Sequence, residues 1–170
     1  MAIHFANTEL SDVMGETWRI TSNFTGDALV AVTNWERADQ TGGGSNYNVL
    51  NESSGIFTFN QTGWYHIHWF MYCYNPGAVG SPWNEMQMHL SWDNGNNYQG
   101  YQYAQGHLPS GTVSYTINHA VHTFSVPAIT GSGTRKIKFT INQQANSSVT
   151  TAGSTSHSWT GFTIIKIADQ

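Results

Sequence analysis

Apolar and polar residues alternate along most of this 170-residue chain, and turn-forming residues interrupt the alternation at short intervals. The pattern is clearest in Glu85–Trp92, where every second residue is apolar. Because residues two positions apart point to the same side of a β-strand, this segment predicts a strand with one buried face and one face in water. Repeated strands separated by turns are typical of an antiparallel sandwich or barrel. The sequence therefore predicts an all-β protein.

Ten segments carry the alternation most clearly and are the predicted strands. They are Trp18–Asn23, Ala28–Trp35, Ile56–Asn60, Trp64–Tyr74, Glu85–Trp92, Tyr98–Ala104, Thr112–Asn118, His122–Val126, Arg135–Asn142 and Gly161–Ala168. Aromatic residues make up 14% of the chain and supply the material of a core. The length fits one domain, since domains usually contain about 100–200 residues. We find no internal repeat or linker that would divide the chain.

Charge and hydropathy exclude several partners. Six Lys and Arg face ten Asp and Glu, giving a net charge of −4, which is too little positive charge to neutralise a nucleic-acid backbone. The basic run Arg135–Lys138 alternates with apolar residues, which predicts a solvated strand face. No apolar run approaches the roughly 18 residues of a membrane span. Met1–Trp18 lacks the pattern of a signal peptide, and Cys73 has no second cysteine to pair with, so we expect synthesis in a reducing cytoplasm.

The predicted strand Trp64–Tyr74 differs from the others because neither of its sides is made for water. One side carries Tyr65, Ile67, Trp69, Met71 and Cys73; the other carries Trp64, His66, His68, Phe70, Tyr72 and Tyr74. A strand covered on both sides lies against the core on one face and against something else on the other. In a single domain, the simplest second cover is another subunit. This strand therefore predicts an oligomer.

Three motifs carry a resemblance to a known family. Leu50 is followed after six residues by Phe57, and after five more by Gly63 with Tyr65, Ile67 and Trp69 at alternate positions. Further motifs are Leu90–Gly95 and Ser158–Phe162. Together they resemble the complement C1q-type globular head of the tumour-necrosis-factor-like (TNF-like) jelly-roll superfamily. The resemblance covers roughly Ala28–Ala168, so residues 1–27 are expected to form an N-terminal arm and the first strand, and residues 28–168 the core.

The resemblance implies a two-sheet antiparallel jelly roll of about ten strands that assembles as a homotrimer and binds macromolecules without catalysis. Trp64, His66, His68, Phe70 and Tyr72 are then the predicted trimer interface, while Phe57, Tyr65, Ile67 and Trp69 fill each protomer. The chain has no collagen-like stem and is rich in Asn, Gly, Thr and Trp, in which it resembles bacteriophage virion proteins. The hypothesis is a trimeric capsid-decoration protein on the virion surface, docked on a capsid or other virion protein.

A receptor- or carbohydrate-binding fibre-tip adhesin is the alternative. Flat aromatic rings and Asn amides can hold sugars, and the candidate residues for binding a glycan or another partner lie in predicted loops. They are Trp83, Tyr98, Tyr101 and Trp159. Most other aromatic residues occupy strand positions where burial explains them. Aromatic rings clustered in one exposed patch would favour this alternative.

Catalytic, metal and cofactor motifs give weaker patterns. The chain has no nucleophile elbow, P-loop or dinucleotide fingerprint, although Glu85 and Asp93 leave a glycosidase-like carboxylate pair open. His66 and His68 share a strand face and could bind a metal, yet a cupin-type site needs glycine and glutamate where the chain has Asn60, Tyr72 and Cys73. We predict a protein that is not an enzyme and holds no metal or cofactor. Histidines from three subunits meeting on a threefold axis remain the open alternative.

Overall fold

The computed structural model describes residues 14–26, 30–38 and 48–170, with only the backbone of Val30. All regular secondary structure in these ranges is β, arranged as two antiparallel sheets, so the predicted all-β sandwich is confirmed. The strands are β1 Gly15–Ile20, β2 Phe24–Thr25, β3 Val30–Ala31, β4 Trp35–Arg37, β5 Leu50–Ser53, β6 Ile56–Phe59, β7 Gly63–Pro76, β8 Ser81–Ser91, β9 Gln99–Leu108, β10 Val113–Val126, β11 Lys136–Gln143, β12 Thr150–Thr151 and β13 Gly161–Ala168. Within the described part of the chain, no helix could cross a membrane.

The two sheets are named A and B here. Sheet A follows the order β2-β12-β7-β13-β1-β4, and β10 also pairs with β7. Sheet B follows the order β5-β6-β11-β8-β9, and β3 also pairs with β11. Neighbouring strands in both sheets are mostly far apart in sequence, so the fold depends on long-range pairing. The 14-residue strand β7 lies inside sheet A and positions the candidate site.

The core lies between the sheets and is largely aromatic. Phe57, Tyr65, Ile67 and Trp69 are all fully buried, which confirms their predicted place inside the protomer. The Phe57 ring meets the ring of Phe162 edge-on, with centroids 4.9 Å apart. Edge-on aromatic contacts of this kind stabilise the fold beyond the area they bury. The Trp69 indole also donates a hydrogen bond of 2.9 Å to the Met86 carbonyl of β8, which links the two sheets.

A buried carboxylate connects the edges of the two sheets. Glu16 of β1 is almost fully buried and accepts hydrogen bonds of 2.9 Å from the Trp18 indole and from the backbone N–H of Leu50. Its other oxygen lies 3.3 Å from the Arg37 guanidinium of β4. Burial raises the pKa of Glu16, while the Trp18 hydrogen bond and the Arg37 charge act in the opposite direction. The carboxylate therefore has a structural role beside the core.

Three predicted strands are organised differently in the structure. Thr112–Asn118 and His122–Val126 belong to one strand, β10, because it pairs with the continuous β7 along its whole length. The predicted strand Ala28–Trp35 is wrong as a unit, since β3 pairs with β11 in sheet B and β4 pairs with β1 in sheet A. The chain crosses from one sheet to the other between them; residues 28–29 lie outside the described residues.

Strand β5 was missed, and the predicted hairpin after β8 is confirmed. β5 pairs with β6 through a turn in which Ser54 and Gly55 have φ of 54° and 81°. In the hairpin, the Asp93 carboxylate accepts hydrogen bonds from the Asn97 backbone N–H at 2.8 Å and the Asn97 amide at 2.6 Å. These bonds, together with one from the Ser91 hydroxyl, lower the pKa of Asp93. The loop thus uses its carboxylate to hold its own turn.

Candidate subunit interface

The outward face of β7 and β10 is the candidate functional site. In the register of this strand pair, Tyr74 lies opposite Tyr115, Tyr72 opposite Ile117, Phe70 opposite His119, His68 opposite Val121 and His66 opposite Thr123. We call this surface the β7–β10 face and define it by those ten residues together with Trp64 and Val113. The five predicted interface residues, Trp64, His66, His68, Phe70 and Tyr72, all lie on it. Inward-pointing β7 residues are buried, so the two sides of the strand differ as predicted.

Strand β10 turns its larger apolar side chains toward solvent along most of its length. Tyr115 and Ile117 are 63% and 69% exposed, whereas Asn118 between the outward positions is buried. The reason lies in the facing strand, because the Asn118 amide lies close to the backbone of Gly106 in β9. A polar inward position leaves the apolar residues only the outer side. An arrangement with apolar residues out and a polar residue in is typical of a surface that another molecule covers.

The β7–β10 face carries no Asp, Glu, Lys or Arg. Val113 is 60% exposed, and Val121 and Trp64 are exposed as well. Isolated apolar residues on a surface need no explanation, but a contiguous group does. Depletion of charge with enrichment of aromatic residues is the composition of interface cores. The face therefore has the chemistry of a buried contact while being open to solvent in the single chain.

One end of the β7–β10 face is a ladder of aromatic rings. The Tyr115 ring is 6.3 Å from the ring of Tyr72 and 6.4 Å from that of Tyr74. Trp159, from the loop before β13, lies 6.1 Å from Tyr72 and continues the ladder, with the His157 ring stacked beside it at 5.5 Å. Rings that are already packed against each other lose little freedom when a partner covers them. This end is therefore preorganised for contact.

The other half of the face is built around imidazoles. The rings of His68 and His119 meet edge-on with centroids 5.6 Å apart, and the His66 Nδ1 atom is 3.0 Å from the Thr123 hydroxyl oxygen. Burial lowers the pKa of His68, and the nearby His119 and His66 lower it further. His122 points to the opposite side of β10, where its ring packs 4.5 Å from that of Tyr101. The spacing of His119 and His122 therefore does not bring them together.

The chemistry that the sequence left open is not assembled among the described residues of one chain. Among the described residues, no group of three His, Cys, Asp or Glu side chains could hold a metal ion. Glu85 binds the Asn142 amide on the outer face of sheet B at 2.7 Å. Asp93 lies eight positions further along the same strand and its hairpin, roughly 25 Å away at about 3.3 Å per residue. A glycosidase pair needs its carboxylates within about 10 Å of each other, so this pair does not form.

The four loop aromatics do not share a patch. Trp83 is near the start of β8, whereas Tyr98 lies beyond its far end, with the Lys138 ammonium 4.2 Å above the Tyr98 ring. Tyr101 packs on His122, and Trp159 joins the β7–β10 face. They therefore provide no common platform for a sugar. The clustered exposed rings are found on the β7–β10 face instead.

The comparisons with known proteins bear on the fold. No protein-family model and no curated protein matches the sequence. Among solved structures, the crystal structure of murine APRIL at pH 8.5 is similar with a TM-score of 0.60 and 12% identity, covering 92% of this chain and 100% of APRIL. The crystal structure of murine APRIL at pH 5.0 has a TM-score of 0.60 and 13% identity, with the same coverage. The structure of Eiger TNF from S. frugiperda has a TM-score of 0.61 and 12% identity, covering 93% of this chain and 94% of Eiger. The chain has a TNF-like jelly-roll fold.

The jelly roll predicted from the sequence motifs is thus confirmed at the level of the fold. Sequence identities of 12–13% carry no information about partners or activity. The candidate interface residues that sequence reasoning did not single out lie on β10: Val113, Tyr115, Ile117, His119 and Val121. Their signal was present, because large apolar residues alternate with small polar ones along Val113–Val121. Alternation does not say which side faces the core, and here that side is the polar one.

Proposed function

We propose that this protein is a non-catalytic assembly module that forms a homotrimer through the β7–β10 face. The observation that carries the proposal is the contiguous, uncharged aromatic and aliphatic surface that a single chain leaves in water. Trp64, Ile117 and Val121 alone are 44%, 69% and 45% exposed. The trimeric state is what the C1q and TNF-like resemblance implies, and the confirmed jelly-roll fold supports it.

The energetics favour covering this face with a large partner. Burial of apolar surface contributes about 25 cal/mol per Å², and a standard interface buries about 800 Å² on each partner. Association costs about 4–15 kcal/mol in lost freedom, so a small contact at one edge would not be enough. The face spans most of two 14-residue strands, so a partner can contact it along most of their length. A second copy of the chain is a suitable partner for the β7–β10 face, because an uncharged surface does not require a partner that carries the opposite charge.

The mass in solution tests the trimer directly. We expect sedimentation equilibrium of the purified chain to give about 56 kDa, three times the 18.8 kDa of one chain. The result should hold at both low and high salt, because contacts without charged groups are little affected by screening. A single species at the monomer mass across micromolar concentrations would contradict the proposal. A stable dimer would keep the face as an interface but reject the threefold arrangement.

A substitution at the centre of the face tests its location. Replacing His68 by Asp places a carboxylate beside Phe70 and His119 in the proposed contact. We expect the trimer dissociation constant to rise at least about tenfold at pH 8, because an unpaired buried charge is costly. The fold of the protomer should survive, since the His68 side chain is only partly buried in the single chain. Sedimentation velocity measures the change, and an unchanged trimer would remove His68 from the interface.

We further propose that the trimer decorates the capsid of a phage-like virion, with the capsid or another virion protein as its docking partner. The supporting features are the low charge and the abundance of Asn, Gly, Thr and Trp. Sequencing of the genes that flank the coding sequence tests this role. Portal, scaffold and major capsid genes are the expected neighbours. Tail-fibre neighbours together with a positive glycan array would support the adhesin instead.

A further inference from the structure

Three imidazoles lie in the middle of the β7–β10 face, with no acidic partner among the residues that the structure describes. His68 and His119 are in ring contact across the two strands, and His66 is two positions from His68 on the same side of β7. A Phe70 ring centroid 5.9 Å from that of His68 adds an apolar wall. The described neighbours of the cluster are therefore uncharged: an aromatic ring, the Thr123 hydroxyl and the other imidazoles.

The strands packed around the cluster supply no compensating charge. On β10, Val121 and Thr123 lie opposite His68 and His66. On β13, the residues opposite the same two histidines are Thr163 and Ile165. Lys166 belongs to the inward side of β13, where its ammonium binds Asp169 and Gln61. Among the described residues of these strands, the histidines are thus the ionisable groups of the face near neutral pH.

We propose that these histidines make the assembly a pH-sensitive one, in which His66, His68 and His119 must be neutral for subunits to associate and mild acid separates them. The inference rests on the proposed function, because it takes the β7–β10 face as the contact between copies. Protonation of the cluster would place positive charge on a surface that becomes buried. Buried charges without partners are costly, and identical copies bring like charges together.

The direction of the effect follows from proton linkage. Burial already lowers the pKa of His68 in the single chain, below its ordinary value of 6.5, and the charges of His119 and His66 add to the shift. Association removes more water from the ring and so lowers this pKa again. Association compares the trimer with the single chain. A histidine whose pKa is lower in the trimer favours the trimer fully when the pH is above its pKa in the single chain. This contribution is lost as the pH falls through the lower pKa in the trimer. The trimer should therefore be stable near pH 8 and weaken as the pH falls below the pKa of His68 in the single chain, which itself lies below 6.5.

Sedimentation velocity at a series of pH values tests the inference with a variant that cannot be charged. In the wild type, we expect the dissociation constant of the trimer to rise at least about tenfold between about pH 8 and pH 5.5. In the triple variant His66→Gln, His68→Gln and His119→Gln, the constant should be nearly independent of pH over that range. His107→Gln is the matched control, because His107 is exposed on β9 away from the β7–β10 face. It should retain the wild-type pH dependence.

The outcomes separate this inference from the proposed function. A wild-type chain that is monomeric at pH 8 rejects the interface itself. A trimer that is equally stable at both pH values keeps the interface and overturns the switch. If the triple variant still dissociates in acid as the wild type does, other groups are responsible and the inference also fails. Near-UV circular dichroism at each pH, together with the single variant His119→Gln at an exposed position, shows whether the protomer stays folded throughout.

Discussion

Replacing Ile117 and Val121 together by lysine should convert the trimer into a folded monomer. Both side chains are exposed in the single chain, so the lysine ammonium groups can stay in water and the protomer loses little stability. In the assembly the two ammonium groups would be buried, one opposite Tyr72 and the other opposite His68, on a face that has no acidic residue. An unpaired buried charge costs several kcal/mol, and two per subunit should raise the dissociation constant at least about 100-fold. Native mass spectrometry and sedimentation equilibrium should report the monomer mass at micromolar protein.

The matched control for this variant is Tyr103→Lys. Tyr103 is 48% exposed on β9 in sheet B, so the substitution adds one lysine at an exposure similar to that of Val121, outside the β7–β10 face. The control should remain trimeric. If it dissociates as readily as the Ile117 and Val121 variant, net charge governs assembly and the β7–β10 face has no special role. If the Ile117 and Val121 variant stays trimeric, the subunits meet through another surface.

The fold was largely predictable because its main signals are local. Alternation along β7 assigns Tyr65 and Trp69 to one side and His66 and His68 to the other, and the structure follows that division. The Asp93–Asn97 hairpin was predictable because asparagine and glycine tolerate its backbone angles. These features need no knowledge of the rest of the chain. The sandwich follows once several such strands must bury one side each.

The rest depends on tertiary pairing that a single sequence does not display. Strand β10 alternates as clearly as β8, yet its polar position Asn118 faces inward because Gly106 of β9 leaves room there. The alternation of apolar and polar residues alone predicts that Ile117 is buried and Asn118 is exposed. Similarly, β3 and β4 belong to different sheets although no turn signal separates them. The candidate site was therefore half predicted, with its β7 residues found and its β10 residues missed.

Two tryptophans lie on opposite sides of β7, and replacing each by alanine should affect a different property of the protein. Trp69 is fully buried and donates a hydrogen bond to the Met86 carbonyl, whereas Trp64 is 44% exposed. Trp69→Ala should lower the free energy of unfolding of the protomer by about 3–5 kcal/mol, because it leaves a cavity and a buried carbonyl without its donor. Trp64→Ala should lower it by less than about 1 kcal/mol, but should weaken the trimer.

Urea denaturation in the monomeric background of the Ile117 and Val121 lysine variant separates the two effects. The apparent stability of an oligomer depends on protein concentration, so the wild-type background would mix folding with assembly. In the monomeric background only Trp69→Ala should shift the midpoint strongly. In the wild-type background at low protein concentration, Trp64→Ala should raise the dissociation constant measured by sedimentation. Equal losses of protomer stability for both substitutions would show that the outer side of β7 is covered within one chain, and the case for a second copy would fail.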